Sequence, residues 1–321
     1  MSSKLWRRAG RGLALTAAIC LGSAAAAAQD FVTILTGGTT GVYYPLGVAM
    51  SQIYGKGMPN AKITVQATKA SVENLNLLQA GKGEIGFSLS DSVSQAVKGD
   101  AEAGFAKPLD KLRTVATIYP NYIQIVASKD SGIKTLADIK GKRISVGAPK
   151  SGTELNARAI VKAAGMTYAD FAKVEYLPFA ESVDLMKNRQ IDVTLQSAGL
   201  GVASIKDLAA SLEIVMVPIP ADVVAKVGDP VYQSAVIPAN TYTGQSADVP
   251  SVAIGNVLVT HAGVPDEAVY QMTKQLYGGL DQLVAAHAAA KAIKLDASSA
   301  QGPAPLHPGA ARFFKEKGLV K

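Results

Sequence analysis

The chain has 321 residues, of which 48% are hydrophobic and 6% aromatic, an ordinary globular composition for one large domain or two lobes. Its formal charge of +7 reflects 32 lysines and arginines against 25 acidic residues, and without the four bases in residues 1–28 it would be +3. A charge this near zero, with so few aromatic side chains to stack on bases, excludes a nucleic-acid partner.

Residues 1–28 have the pattern of a secretory signal peptide that is removed on export. A basic start is followed by an apolar stretch at 13–22 and by an alanine-rich end just before Gln29. The bases are Lys4, Arg7, Arg8 and Arg11. A membrane anchor is the alternative, but the stretch is much shorter than the roughly 20 residues that a spanning helix needs. We therefore predict an exported protein of the periplasm.

Removal of the signal peptide would also remove Cys20, the only cysteine of the chain. The remaining residues could then form no disulfide, no cysteine-based metal site and no cysteine nucleophile. The three histidines, His261, His287 and His307, are isolated and lack the spacing typical of metal ligands. No G-x-S-x-G motif marks a serine nucleophile. We therefore predict no metal, no cofactor and no enzymatic activity.

In chain order, short β-rich runs alternate with helical patterns, which is typical of parallel sheets covered by helices. The predicted strands are 31–36, 62–67, 84–89, 113–118, 123–128, 143–147, 174–178, 191–195, 213–217, 231–237 and 252–260. The predicted helices are 43–54, 72–80, 92–98, 135–140, 152–164, 180–188, 201–210, 265–290 and 308–317. Residues 295–309 indicate a surface connection before the last helix. The predicted fold class is α/β.

Five predicted strands end in clusters of Ser, Thr and Gly, and in most cases a helix begins within a few residues. The clusters are 36–41, 67–71, 88–92, 147–153 and 195–199. Ligands of open α/β sheets lie outside the carboxyl ends of the strands, so we expect several clusters to face one cleft. The first turn of a helix presents unpaired N–H groups and the positive end of the helix dipole. Such a cleft can hold an anion without a metal or a buried arginine.

The same clusters have a purely structural interpretation, as helix caps. Ser151 with Glu154 three residues later has the spacing of a capping box. Ser71 and Asp91 are suitable N-caps for the helices that follow them. A single cap of this kind is usually structural. Five of them at strand ends favour a site, without deciding the role of each residue.

The first cluster begins the stretch TGGTTGVYYPLG at 36–47, whose first glycines are residues 37, 38 and 41. This spacing matches neither a P-loop, which needs a lysine after its closing glycine, nor the G-x-G-x-x-G fingerprint of dinucleotide sites. Pro45 fits the first turn of a helix, which Leu46, Ala49, Met50 and Ile53 supply with an apolar stripe. We expect the loop to let its backbone approach a small ligand closely.

Five successive blocks resemble the TAXI family, the extracytoplasmic solute receptors associated with TRAP transporters. The blocks are 34–54, 71–91, 131–160, 237–245 and 306–318. The resemblance implies a type II periplasmic-binding-protein fold, in which crossover strands join two α/β lobes around a ligand cleft. One lobe would comprise 29–121 and 241–321, and the other 122–240.

The family resemblance also implies a function. Such a receptor captures a small organic anion, for example a glutamate-like carboxylate or a 2-oxoacid, and delivers it to the TRAP permease subunits in the membrane. We expect it to act as a monomer. A ligand-sensing subunit for a membrane signalling protein and an exported enzyme are the alternatives.

The matched blocks and the strand ends together supply candidate ligand-binding residues. They are Thr39, Thr40, Tyr43, Ser71, Asn74, Ser90, Asp91, Tyr119, Tyr122, Ser151, Thr153, Asn156, Gln196 and Ser197. Tyr119 and Tyr122 flank a proline near the proposed crossover, where they could also sense closure. The sequence departs from the family at Thr40, Lys69 and Lys150, which stand where glycine is common. Either lysine could add a cation for a diacid, or both could be solvated.

Overall fold

The computed structural model describes residues 31–321, so the predicted signal peptide lies outside the described residues. The strands are β1 (Phe31–Leu35), β2 (Lys62–Gln66), β3 (Ile85–Leu89), β4 (Leu112–Ser128), β5 (Arg143–Ser145), β6 (Lys173–Glu175), β7 (Val193–Ala198), β8 (Ile214–Val217), β9 (Gln233–Ile237) and β10 (Val249–His261). The α-helices are α1 (Tyr43–Gly57), α2 (Ser71–Gln79), α3 (Ser90–Lys98), α4 (Gly152–Ala163), α5 (Phe179–Lys187), α6 (Ala203–Ser211), α7 (Ala221–Val227), α8 (Asp266–Gly278), α9 (Leu280–Ala286) and α10 (Pro308–Glu316).

The strands form one mixed sheet in the order β2-β1-β3-β10-β4-β7-β5-β6, with β8 paired to β4 and β9 paired to β10. Two long strands connect its halves. β4 pairs antiparallel with β10 as far as Tyr122, and from Tyr122 onward it pairs with β7. The first lobe is therefore built on the parallel strands β1, β2 and β3, with parts of β4 and β10. The second lobe is built on β5 to β9.

The sequence predicted two strands, at 113–118 and 123–128, where the structure has the single strand β4. Pro120 within it has no N–H to donate, which usually excludes proline from a central strand. It lies opposite Gly255, next to an irregularity in the β4–β10 register. Because the ladder is already interrupted at this point, the strand continues through the proline.

Three apolar cores support the sheet, and the largest contains side chains of α1 in the first lobe together with side chains of α5 and α6 in the second. All five residues of β3 are buried, as expected of a central strand covered on both faces. The predicted stripe of α1, residues 46, 49, 50 and 53, is buried on the first lobe, and Pro45 lies in the first turn. The second core packs α4 against β5, β7 and β8, with Ile144, Val193 and Leu195 among its members. The apolar core thus continues from one lobe to the other.

Two helical predictions differ from the structure, and one helix was missed. The predicted helix 265–290 is interrupted, because α8 ends at Gly278 and α9 begins at Leu280. The intervening Gly279 lies so close to α1 that a Cβ there would be 2.6 Å from Ile53 Cδ1. The predicted helix 135–140 is only a 3₁₀ turn, Ala137–Ile139, and α7 after Pro220 was not predicted.

Residues 295–309 are not simply a surface connection. Ala304 and His307 are buried, and the segment lies along the start of β4. Thr114 makes two hydrogen bonds to this segment: its N–H donates to Pro305 O and its Oγ1 donates to Ala304 O, both at 2.8 Å. The segment is a surface connection before the last helix as predicted, since most of its residues are exposed or half-buried, but part of it satisfies its backbone groups on a strand instead of in water. Among the helices of residues 31–321, none combines the length and the apolar character that crossing a membrane requires.

Candidate functional site

A cleft between the two lobes encloses a cavity of about 110 Å³. It lies at the carboxyl ends of the parallel strands of both lobes. Each of the five Ser/Thr/Gly clusters contributes at least one lining residue, for example Gly37, Ser71, Leu89, Ser151 and Ser197. The expected convergence of these strand ends on one cleft is therefore confirmed.

Four helices have both their N-cap residue and their first residue in the wall of this cleft. The starts of α1 and α2 come from the first lobe, and those of α4 and α5 come from the second. Only α4 has a side-chain cap, in which Ser151 Oγ accepts from Glu154 N at 3.1 Å. The residues before the other three helices are Val42, Ala70 and Pro178, and none of them caps its helix through a side chain. Positive helix ends from both lobes thus face one small volume.

The helix-cap interpretation holds for one of its three residues. Ser151 caps α4, but the carboxylate of Glu154 binds Arg158 at 2.8 Å instead of completing the capping box. Ser71 is the first residue of α2, and its Oγ accepts from Leu89 N at 3.1 Å. Asp91 lies within α3, whose N-cap is Leu89. The cap assignments for Ser71 and Asp91 were wrong because both helices begin earlier than predicted.

Ala70, on the cleft wall, has an unusual backbone conformation with φ 70° and ψ −142°. Residues other than glycine rarely adopt this φ/ψ region, because the conformation costs them on the order of 1–3 kcal/mol. The Ala70 N–H donates to Thr68 Oγ1 at 2.9 Å, and that hydroxyl donates to Asn74 Oδ1 at 2.6 Å. The surrounding hydrogen bonds thus hold the chain in a strained turn directly before the first N–H groups of α2.

The wall of the cleft on the crossover side is a buried hydrogen-bond network. Tyr43 stacks on Phe87, with ring centroids 4.9 Å apart, and donates to Asn256 Oδ1 at 2.5 Å. Burial raises the pKa of the Tyr43 hydroxyl, so the group remains a donor. The Asn256 amide donates to Tyr119 O and to Asn121 Oδ1, both at 2.8 Å. Asn121 donates to the second lobe through Ser197 O.

The described part of the lining carries one charged side chain, that of Lys69, and no aspartate or glutamate. The rest of the wall is largely apolar, with Val42, Leu89, Phe179 and Ala198 among its members. Within residues 31–321 no group of three or more His, Cys, Asp and Glu side chains could hold a metal ion. The electrostatic character of the cleft therefore comes from helix ends, polar hydroxyls and one lysine.

The structure brings five of the fourteen predicted site residues to the cleft: Tyr43, Ser71, Ser151, Thr153 and Ser197. Five others are buried away from the cavity lining: Asn74, Asp91, Tyr119, Asn156 and Gln196. The remaining four, Thr39, Thr40, Ser90 and Tyr122, are exposed or half-buried and do not line it either. Thr39 lies instead in a groove beside α1 and α9.

Sequence reasoning missed Asn121, Pro178 and Phe179 as lining residues. Asn121 lies inside a strand, so no strand-end signal marks it. Pro178 and Phe179 follow β6, but they are apolar and do not resemble a Ser/Thr/Gly cluster. A proline just before an apolar-periodic run was the available signal, because proline favours the beginning of a helix.

The comparison with family models decides the classification. The model described as the NMT1-like family matches residues 34–318, nearly the whole described chain. The chain belongs to this family. Members of one family share a fold, so solved structures of the same architecture should cover most of the chain.

Solved structures similar to this NMT1-like chain include the periplasmic binding protein BugD, with a TM-score of 0.58 and 12% identity over 91% of this chain and 94% of BugD. A second is a binding protein component of an ABC phosphonate transporter from Pseudomonas aeruginosa (TM-score 0.51, 14% identity, 83% and 80% covered). A third is a putative L-cystine ABC transporter from Listeria monocytogenes (0.50, 13%, 83% and 98%). At these identities the likeness shows the fold. The predicted α/β fold with two lobes, of the type II periplasmic-binding-protein class, is confirmed.

Proposed function

We propose that this protein is an extracytoplasmic solute receptor of a transporter and that it captures a small organic anion in the cleft. One observation carries the proposal: four helix N-termini from both lobes, three of them without a side-chain cap, converge on a cavity with no acidic side chain in its described lining. Helix N-termini favour negative charge, and neither lobe alone supplies all four. Closure of the lobes on an anion would therefore be favoured by contacts that the open form lacks.

The resemblance to the TAXI receptors supports a TRAP permease as the membrane partner, a carboxylate as the ligand and a location in the periplasm. The proposed lobes are 29–121 with 241–321, and 122–240. An ABC permease is the second candidate, since two of the similar structures are named for ABC transporters. Reconstitution with each class of permease encoded beside the gene would distinguish them, because only the true partner would transport the ligand.

Thermal-shift screening followed by isothermal titration of small anions tests the proposed function. We expect saturable binding of one anion per chain. Lack of saturable binding by any small anion, together with a hydrolytic or transferase activity, would contradict it. A neighbouring gene for a membrane kinase and not a permease would support the alternative of a sensory subunit.

The lining also predicts which anions bind. An amino acid would bring an ammonium group into the cleft, where no carboxylate lines the wall to receive it. An unpaired charged group costs more than 1–3 kcal/mol on burial, so we expect a 2-oxoacid to bind at least about tenfold more tightly than the amino acid with the same carbon skeleton. Titration with the pairs pyruvate and alanine, and 2-oxoglutarate and glutamate, measures this difference.

Lys69 provides the matched control for charge. Lys69→Gln should weaken 2-oxoglutarate binding more than pyruvate binding, because the lysine is the one cation in the described lining and a second carboxylate can use it. For the previous prediction, binding of alanine or glutamate as tight as that of the matching 2-oxoacid, or tighter, would contradict it. The cleft would then accept an ammonium group in a way that this lining does not explain.

A further inference from the structure

Asp91 is a buried carboxylate of the first lobe that receives hydrogen bonds from the second. Its side chain is 1% exposed, at the start of α3. Its Oδ2 accepts from Asn156 Nδ2 at 2.6 Å and from the Tyr232 hydroxyl at 2.7 Å. Asn156 lies on α4, and Tyr232 directly precedes β9, so both donors belong to the second lobe. Its first-lobe partner is Ser92, whose N–H and Oγ donate to Asp91 Oδ1 at 2.7 Å and 3.4 Å.

The same three side chains connect to the cleft without lining it. Asn156 Nδ2 also donates to the Tyr232 hydroxyl at 2.9 Å, and Asn156 Oδ1 accepts from Ser197 Oγ at 2.7 Å. Ser197 lines the cleft. A second, exposed contact joins the lobes nearby, since Arg158 Nη1 donates to Glu102 O at 2.9 Å. The interlobe contact thus has a fully buried centre and a solvated edge.

Each donor to a buried carboxylate matters more than a donor at the surface. A buried charge that loses a hydrogen-bond donor is destabilised, because water cannot reach it to replace the donor. An exposed group that loses a donor is simply hydrated instead. Separation of the lobes would move Asp91 away from Asn156 and Tyr232 and let water take their place. An open form would lack these two hydrogen bonds.

We propose that Asp91, Asn156 and Tyr232 form an interlobe latch that holds the lobes closed and so sets the affinity of the cleft without contacting the ligand. This inference deepens the proposed function, on which its effect on affinity rests. In this role the three are positioning residues: they bias the equilibrium between open and closed forms, and the ligand binds the closed form.

Tyr232→Phe tests the latch, because it removes one hydroxyl and keeps the ring. Tyr168→Phe is the matched control, since the Tyr168 hydroxyl contacts only Glu154 within the second lobe. Spin labels on Lys82→Cys and Asn188→Cys, exposed positions on the two lobes, would report the interlobe distance, with Cys20→Ser removing the native cysteine. In the ligand-free protein we expect Tyr232→Phe to raise the ratio of open to closed forms about three- to tenfold, the equivalent of one net hydrogen bond, and Tyr168→Phe to leave it unchanged.

The ionisation of Asp91 supplies a second readout. Burial raises the pKa of Asp91, which the hydrogen bonds from Tyr232, Ser92 and Asn156 offset in part. The titratable groups facing it are the hydroxyls of Tyr43 and Tyr232, whose pKa values burial also raises, and the carboxyl of Asp229, whose charge opposes ionisation of Asp91. If opening lets water reach the Asp91 carboxyl, its pKa falls back toward the ordinary aspartate value, and closure then favours the protonated form.

As the pH rises from about 4, the ordinary pKa of an aspartate, through the raised pKa of Asp91 in the closed form, the open fraction should increase. Asp91→Asn carries no titratable group, so its open fraction should lack this dependence. The latch would be overturned if the open fraction of Asp91→Asn varied with pH as it does in the wild-type protein. Equal open fractions in Tyr232→Phe and Tyr168→Phe would also overturn it. The distance measurement needs no ligand, so it decides on the latch even if no anion binds and the proposed function fails.

Discussion

Gly152→Ala should weaken ligand binding about five- to 150-fold while leaving the stability of the ligand-free protein unchanged or slightly higher. Gly152 is the first residue of α4 on the second lobe and lies against the first lobe. An added Cβ would be 2.6 Å from Ser71 Oγ and 2.7 Å from Leu89 Cδ1, so the closed cleft has no room for it. Overpacking of this kind costs about 1–3 kcal/mol, which corresponds to roughly a five- to 150-fold loss of affinity.

The steric clash of the added Cβ at Gly152 is with residues of the other lobe, so opening of the lobes can relieve it. Gly152 has no positive φ, and alanine is a better helix former than glycine. We therefore expect isothermal titration to show the loss and thermal unfolding of the ligand-free protein not to show it. Gly55→Ala is the control, because Gly55 is an exposed residue of α1 with no atom near its added Cβ. Equal affinities of the two variants would show that the bound state does not require this close approach.

Asn256→Ala should lower the free energy of unfolding by about 3 kcal/mol or more, since each buried group that loses its partner costs about 1–3 kcal/mol. Asn256 is fully buried on β10, at the crossover. Its loss leaves the Tyr43 hydroxyl, Tyr119 O and Asn121 Oδ1 without the partners that the structure provides. Urea unfolding measures the effect.

Asn76→Ala is the matched control for Asn256→Ala. The Asn76 amide is exposed and donates only to Val72 O in its own helix. Substitutions at such sites usually change stability by about 0.5 kcal/mol or less in either direction. Similar losses in the two variants would contradict the view that the Asn256 network supports the crossover and the cleft wall.

The sequence was sufficient to predict the convergence of the strand ends, because that convergence follows from local signals. Parallel strands place their carboxyl ends at one edge, and Ser, Thr and Gly mark where the chain leaves each strand. The helix starts behind Gly37, Ser71 and Ser151 followed from the same pattern. The order of the strands and the pairing of β4 with both β10 and β7 depend on contacts between distant residues, which no local pattern specifies.

The sequence could not separate side chains that line the cleft from those behind it. Asp91 and Ser71 both follow strands and both looked like caps or ligands, yet one receives hydrogen bonds from the opposite lobe and the other lines the cavity. Their roles differ through the position of Tyr232, which is 141 residues from Asp91. A side chain's partner at that separation is a property of the folded chain and not of its neighbours in sequence.

A crystal structure of the protein with its tightest-binding small anion tests the central claim most directly. We expect oxygens of the anion to lie within hydrogen-bond distance of backbone N–H groups in the first turns of α2 and α4, one from each lobe. An anion bound elsewhere on the protein, or held in the cleft by one lobe alone, would contradict it.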